Sequence, residues 1–333
     1  MSGTPPLLAF FGHHKCASQW LGALIRDVCA LTGLRPVGIS RIEDSPDVAN
    51  LAQFVARTRP DFLVYANADA RQVRDLGPLR GFHVFRDPRD LLVSAYFSHR
   101  NSHPLATWPG LDEHRRRLQG MSAAEGLLLE MDFSRRVLEE VGSWPSGRPD
   151  VLEVRMEDLV GSPYESVARI MASLGLVRPE RSRTDAVERL AGVAASTASG
   201  AQRAGGDLLY GLLRAAHRVV PGIYRDERGR SQPFPPRDHL GAIAPLARLR
   251  FRRRRLDLAS LLSIVHRHRF SRLAGGRRPG DENAHSHYRK GVPGDWRNHF
   301  EAVHVERFKR SYNDVLLRLG YETDPDWHLP AKR

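Results

Sequence analysis

Leu7-Leu8-Ala9-Phe10-Phe11 is an unbroken apolar run that stops at Gly12. A helical pattern follows, Trp20, Leu21, Leu24, Ile25 and Val28, which Gly33 stops in turn. A strand apolar on both faces, followed at once by an amphipathic helix, suits a parallel sheet, whose neighbouring strands need a crossover between them. The unit recurs. Short β-like runs lie at Pro36 to Ile39, Asp61 to Ala66, Gly81 to Phe85 and Val151 to Arg155. Helical stretches separate them, roughly Pro46 to Arg57, Asp90 to Arg100 and Ser122 to Val141. The last opens on Ser122-Ala123-Ala124-Glu125, a capping box, and Ser18 is placed to cap the first helix. This alternation predicts an α/β fold around a mostly five-stranded parallel sheet, with its ligand crevice at the carboxyl ends of the strands.

After a helix over Tyr164 to Leu174 the texture changes. Residues 190 to 285 are rich in Gly, Pro, Arg and Ser, with helical patches near Leu208 to Val219 and Leu256 to His268. The expected organisation is a core over 1–190, a helical insertion over 190–285, and a segment over 285–333 that completes the core. In that last segment a loop at Tyr288 to His299 precedes a helix through Val303, Phe308, Tyr312, Val315, Leu316 and Leu319, ended by Gly320. No apolar run approaches the ~18 residues of a membrane span. Met1 to Pro6 lacks a basic start, and Cys16 and Cys29 are too few for a disulfide framework, so a cytoplasmic location is expected.

The 333 residues carry 51 Lys+Arg against 38 Asp+Glu, a net charge of +13 that favours anionic ligands. Only Lys15, Lys290, Lys309 and Lys332 are lysines. Two of these four fall in candidate phosphate loops. The first loop is Gly12-His13-His14-Lys15-Cys16-Ala17-Ser18-Gln19-Trp20, between the first strand and its helix, where unpaired amides and the helix dipole attract an anion. It lacks the second glycine of a Walker A loop, and Cys16 stands where a magnesium-holding hydroxyl would be, which argues against an ATPase or GTPase. The second is Phe85-Arg86-Asp87-Pro88-Arg89-Asp90, with Ser94 eight residues after Arg86 on the following helix, an arginine fork and a hydroxyl suited to a phosphate monoester. Arg89 reads as a local ion pair with Asp87 or Asp90, worth little. The third is Arg289-Lys290-Gly291-Val292-Pro293-Gly294-Asp295-Trp296, in which glycines allow close backbone approach to an anion.

In order and spacing these stretches resemble the sulfotransferases that use 3′-phosphoadenosine 5′-phosphosulfate (PAPS). His14 to Trp20 stands where that family has P-K-S-G-T-T-W. Arg86 to Asp90 with Val93-Ser94-Ala95-Tyr96 stands for R-[DN]-P-x-D and V-S-x-Y, and Arg289 to Trp296 matches R-K-G-x-x-G-D-W without a gap. Val154-Arg155-Met156-Glu157-Asp158-Leu159 is similar to the family's strand ending in Y-E-D-L. The resemblance covers 7–175 and 285–320 and implies a P-loop-like three-layer fold. It implies that Lys15, Ser18 and Gln19, with the loop at Cys16 and Ala17, hold the 5′-phosphosulfate while Trp20 packs on the adenine. Arg86, Ser94, Arg289 and Lys290 would bind the 3′-phosphate with help from the Gly291 amide, and Phe270 is a further adenine candidate.

The implied reaction is in-line transfer of a sulfuryl group to a hydroxyl, or an amine, of a small-molecule, lipid or glycan acceptor. The product would be adenosine 3′,5′-bisphosphate (PAP). Lys15 would stabilise charge on the leaving phosphate without a metal. A base must take the acceptor's proton. The histidine that many family members place after the third strand is absent from Val64-Tyr65-Ala66-Asn67-Ala68-Asp69-Ala70. Asp69, at a strand end, is the first choice and His14 the second, ahead of His99, His103 and Glu43; Asp69 also reads as a helix cap. The run Arg248 to Arg255 reads as a solvated face or as a contact for an anionic membrane. Basic charge without interleaved aromatics is poor grounds for nucleic-acid binding. The rival readings are a nucleotide kinase or other P-loop phosphotransferase, stabilised by Mg-ATP, and a non-catalytic basic binding protein.

Overall fold

The computed structural model describes residues 5–177 and 255–329. Its centre is a five-stranded, wholly parallel sheet in the order β2-β3-β1-β4-β5. The strands are β1 (Leu7–Phe11), β2 (Pro36–Ile39), β3 (Phe62–Tyr65), β4 (Leu79–Phe85) and β5 (Val151–Arg155). Strand β1 shows why its sequence carries no polar residue. Leu8 and Phe10 join the core on one face and Ala9 and Phe11 the core on the other, so both sides of the pleat are buried.

Helices cover both faces. They are α1 (Ser18–Thr32), α2 (Leu51–Thr58), α3 (Ala70–Val73), α4 (Pro88–Asn101), α5 (Leu111–Gln119), α6 (Ala123–Phe133), α7 (Arg135–Ser143), α8 (Met156–Gly161) and α9 (Pro163–Ser173). After the undescribed stretch come α10 (Leu258–Arg267), α11 (Phe270–Leu273) and α12 (Ala302–Leu319). Among the described residues no helix is long and apolar enough to cross a membrane. The α/β fold with a parallel sheet between helical layers is the one expected.

Several local expectations change. Helix α1 is entered through Ala17 in a left-handed conformation with no side-chain cap; the Ser18 hydroxyl donates instead to the carbonyls of His13 and Ala66. The single helix expected over Ser122 to Val141 is two, broken at Ser134, whose hydroxyl donates to the buried Glu130. Helix α5 was not anticipated, because its buried face consists of Leu111, His114 and Leu118 and is too polar to show as an apolar stripe. Residues 255–285 belong with the core rather than outside it. Leu256 donates its amide to Leu176 at 2.8 Å, and α10 packs on α1 and α9 through Leu261, Ile264 and Val265. The remainder of the expected insertion, including Leu208 to Val219, lies outside the described residues.

Arg89 is the main departure from the expected energetics. It is 1% exposed, bonds Asp87 through Nε and Nη2 at 3.0 and 2.8 Å, and pairs with Glu322 at 2.5 Å. Its guanidinium lies 3.9 Å from the Trp296 ring centre and 4.7 Å from that of Trp327. A surface ion pair contributes little, but breaking a buried one strands its partners. Arg89→Ala should therefore destabilise the protein by about 3–5 kcal/mol in denaturant titration, and a loss under 1 kcal/mol would assign Arg89 to the surface class after all.

Candidate active site

The first loop is shaped by backbone geometry before any side chain acts. Gly12 donates its amide to Tyr65 at 2.9 Å and accepts from Ala68 at 2.8 Å, so the loop is pinned across the ends of β1 and β3. A Cβ at Gly12 would lie 2.7 Å from both the Phe10 ring and the Ser18 hydroxyl, which leaves no room for another residue. Lys15 and Ala17 have φ of 62° and 61°, left-handed values that cost an L-residue on the order of 1–2 kcal/mol each. The alternation buries Cys16 while Lys15 and Ala17 face the crevice. Burial pushes the Cys16 thiol up to about 12, so Cys16 can offer a ligand only its backbone.

The second and third loops are tied together by one carboxylate. Asp90, buried near the start of α4, accepts the Gly294 amide at 2.5 Å and the Trp296 amide at 2.9 Å. This brings Arg289 and Lys290 beside Arg86. Asp295, also buried, accepts from Arg289 and Lys290, each at 2.5 Å, and from Asn298 and His299. Burial alone would raise its pKa, but these donors outweigh burial and hold it far below the ordinary carboxylate range. Arg289 also lies 4.5 Å from the Phe97 ring centre and pairs with Glu282 at 2.6 Å. Gly291 has φ 69°, and a Cβ there would lie 2.5 Å from the Phe270 ring, so this close approach requires glycine. Glu157 fixes the second loop by accepting the Asp87 amide at 3.0 Å and the Tyr321 hydroxyl at 2.7 Å.

These elements enclose a cavity of about 880 Å³ at the carboxyl ends of the strands. Lys15, Ala17, Ser18, Gln19, Trp20, Arg86, Ser94, Arg289, Lys290 and Gly291 all line it, as do Phe270 and His14. Arg86 donates to the Lys15 carbonyl at 3.3 Å. Trp20 donates its indole N–H to His268 at 2.9 Å, linking α1 to the turn after α10. Beyond Lys15 the wall turns aromatic: the His14 ring lies 4.8 Å from Trp108, which lies 5.7 Å from Phe133.

Asp69 is not in the lining, and its expected role as base is corrected. Its carboxylate caps α3 by accepting the Arg71 amide at 2.9 Å and pairs with the Arg71 guanidinium at 2.8 Å. The hydrogen bond from Arg71 holds its pKa below the ordinary value, the wrong direction for a base. Glu43 lines the cavity but is paired with Arg136 at 2.7 Å. His14 remains. Its Nε2 meets His99 Nε2 at 3.1 Å, and His99 Nδ1 meets the two Glu130 oxygens at 2.9 and 3.1 Å. Sequence spacing showed no metal constellation, yet the fold brings ligand-type atoms of His14, His99 and His103, and of His99, His114 and Glu130, within 4.8 Å of one another. Hydrogen bonds already account for the closest contacts in both groups. Of the run Arg248 to Arg255, only Arg255 falls among the described residues.

No protein-family model matches the chain, and no curated protein matches it. Among solved structures it is similar to the mouse sulfotransferase SULT7A1 complexed with PAP, at 13% identity and a TM-score of 0.45, over 94% of this chain and 84% of that one. It is also similar to retinol dehydratase in complex with androsterone and the inactive cofactor PAP, at 12% identity and a TM-score of 0.43, over 99% of this chain and 84% of that one.

The electrostatics give a direct check. Burial, then repulsion from Arg86 and Arg289, pulls the Lys15 ammonium down to about 8 from its ordinary 10.5. Between those values the unfolded chain holds a proton that the folded protein has lost, so this group's penalty on stability fades as pH rises from about 8 to 10.5. Lys15→Met should stabilise the ligand-free protein at pH 7, and its advantage in melting temperature should shrink toward pH 10. An advantage independent of pH would show that Lys15 carries no such strain.

Proposed function

We propose that the protein transfers a sulfuryl group from PAPS to an acceptor hydroxyl. The observation that carries this reading is that Lys15, Arg86, Ser94, Arg289, Lys290 and Gly291, from three separate segments, line one cavity at the carboxyl ends of a parallel sheet. Positive groups from three segments in one cleft suit a ligand with more than one anionic group. The donor set fits: Lys15 and the loop that opens α1 line the cavity together with Arg86 and the Asp295-braced Arg289 and Lys290. The nucleotide supplies the activated sulfuryl group. Lys15 offsets the charge that develops on its departing phosphate. Trp20 and Phe270 offer aromatic surface for the base.

His14 is the group positioned to take the acceptor's proton. Burial, then the charges of His99, Lys15, His103 and Arg41, hold its pKa well below the ordinary value, so its ring is neutral and able to accept at pH 7. The aromatic wall of Trp108 and Phe133 favours an acceptor whose hydroxyl is carried on an apolar or aromatic body.

Calorimetry with PAP, adenosine 5′-phosphate and Mg-ATP tests the nucleotide directly. PAP should bind without magnesium, and Arg86→Ala should weaken PAP by roughly 10- to 100-fold, the scale of a charged hydrogen bond, while changing adenosine 5′-phosphate little. Equal losses for both, or preference for Mg-ATP, would sink the assignment. Lys15→Ala should keep the fold and abolish transfer from radiolabelled PAPS to a panel of phenols and alkanols.

A further inference from the structure

His13 and His14 are adjacent, and each starts a chain of the same composition: histidine, histidine, glutamate. From His14 the chain runs through His99 to Glu130. From His13 it runs through His83, with Nε2 to Nε2 at 2.8 Å, to Glu153 at 3.3 Å. The two chains end in opposite carboxyl states. Burial would raise Glu130, but hydrogen bonds from His114, His99 and Ser134 oppose it and hold the group below the ordinary carboxylate range. Burial pushes Glu153 up to about 7, opposed by the hydrogen bond from Trp144. Only the first chain ends in a permanent anion.

That difference sets the protons. An ionised Glu130 can only accept, so His99 presents Nδ1–H to it, and in the neutral His99 ring this leaves the Nε2 lone pair bare. The one partner of that lone pair is His14 Nε2, which must then carry its own hydrogen and donate. The neutral His14 ring is left with a bare Nδ1. His14 lines the cavity, and among the described residues nothing is hydrogen-bonded to that nitrogen. His13 Nδ1, by contrast, is buried without a partner.

We infer that His14 is the catalytic base and that Glu130, acting through His99, is a positioning residue that holds His14 in the Nε2–H tautomer. The inference rests on the sulfuryl-transfer reading. In the step it describes, the acceptor oxygen forms its bond to sulfur as its proton passes to His14 Nδ1. The bond from sulfur to the phosphate oxygen breaks, and its electron pair stays on that oxygen beside Lys15. The resulting imidazolium keeps its Nε2–H bond to His99 and is stabilised by the Glu130 charge relayed through that ring, as in other carboxylate-oriented histidines. Burial and the groups that face His14, namely His99 and His103 from α4 and the turn after it, Lys15 on its own loop and Arg41 after β2, disfavour its imidazolium.

The test is imidazole nitrogen NMR on histidine-labelled full-length protein saturated with PAP. The expected spectrum has His99 as Nδ1–H and His14 as Nε2–H, with His14 losing its single tautomer in Glu130→Gln and in His99→Gln. Should Glu130→Gln fail to fold, the His99 variant gives the same readout. In turnover, Glu130→Gln should lose 10- to 100-fold in kcat with the PAP dissociation constant unchanged within twofold, and Glu130→Asp should recover part of the loss. A His14 ring carrying its hydrogen on Nδ1, a doubly protonated His99 that donates to His14, or zinc that survives dialysis with both Nε2 atoms metal-shifted would each overturn the inference. Failure of PAP to bind at all would instead strike at the nucleotide reading, so the two failures are told apart.

Discussion

The Asp90 carboxylate, in accepting the amides of Gly294 and Trp296, joins parts of the chain that are more than two hundred residues apart. Everything chemical in the cleft depends on that junction. It carries the third loop to the mouth of the sheet, where Asp295 can align Arg289 and Lys290 with Arg86. A buried carboxylate is costly unless its oxygens are satisfied, and here both are occupied by backbone donors that have few other partners available. The same loop presses Trp296 onto Arg89, so the charge-binding wall and the core beneath it are stabilised together.

Much of this was visible in the sequence because the relevant physics is local. A five-residue apolar run ending in glycine announces a buried strand, and three loops carrying Lys15, Arg86 and the Arg289-Lys290 pair announce anion sites. What escaped is what depends on distant partners. Arg89 looks like a residue of a surface ion pair until Glu322, Trp296 and Trp327 close over it. His99 and Glu130 are thirty-one positions apart, on α4 and α6, and no periodicity in either helix marks them as partners. Asp69 sits at a strand end as expected, but the neighbouring Arg71 claims its carboxylate. A sequence shows where a group stands more readily than what it is bonded to.

Three buried carboxylates near the cleft, Glu130, Asp295 and Asp90, are each surrounded by donors. A saturated polar cluster of this kind fixes orientations more narrowly than apolar packing does. The left-handed turns at Lys15 and Ala17 belong to the same economy of placement, with local backbone strain accepted where an ammonium must face inward.

The short parallel bridge between Val177 and Leu256 has a consequence for how this architecture tolerates change. Two residues 79 positions apart in the chain are thereby held side by side. Closing a loop of n residues costs only about (3/2)RT ln n in entropy, so the number of residues between two such joined points weighs little on stability. Such a seam lets that number change between generations while the cleft keeps its shape.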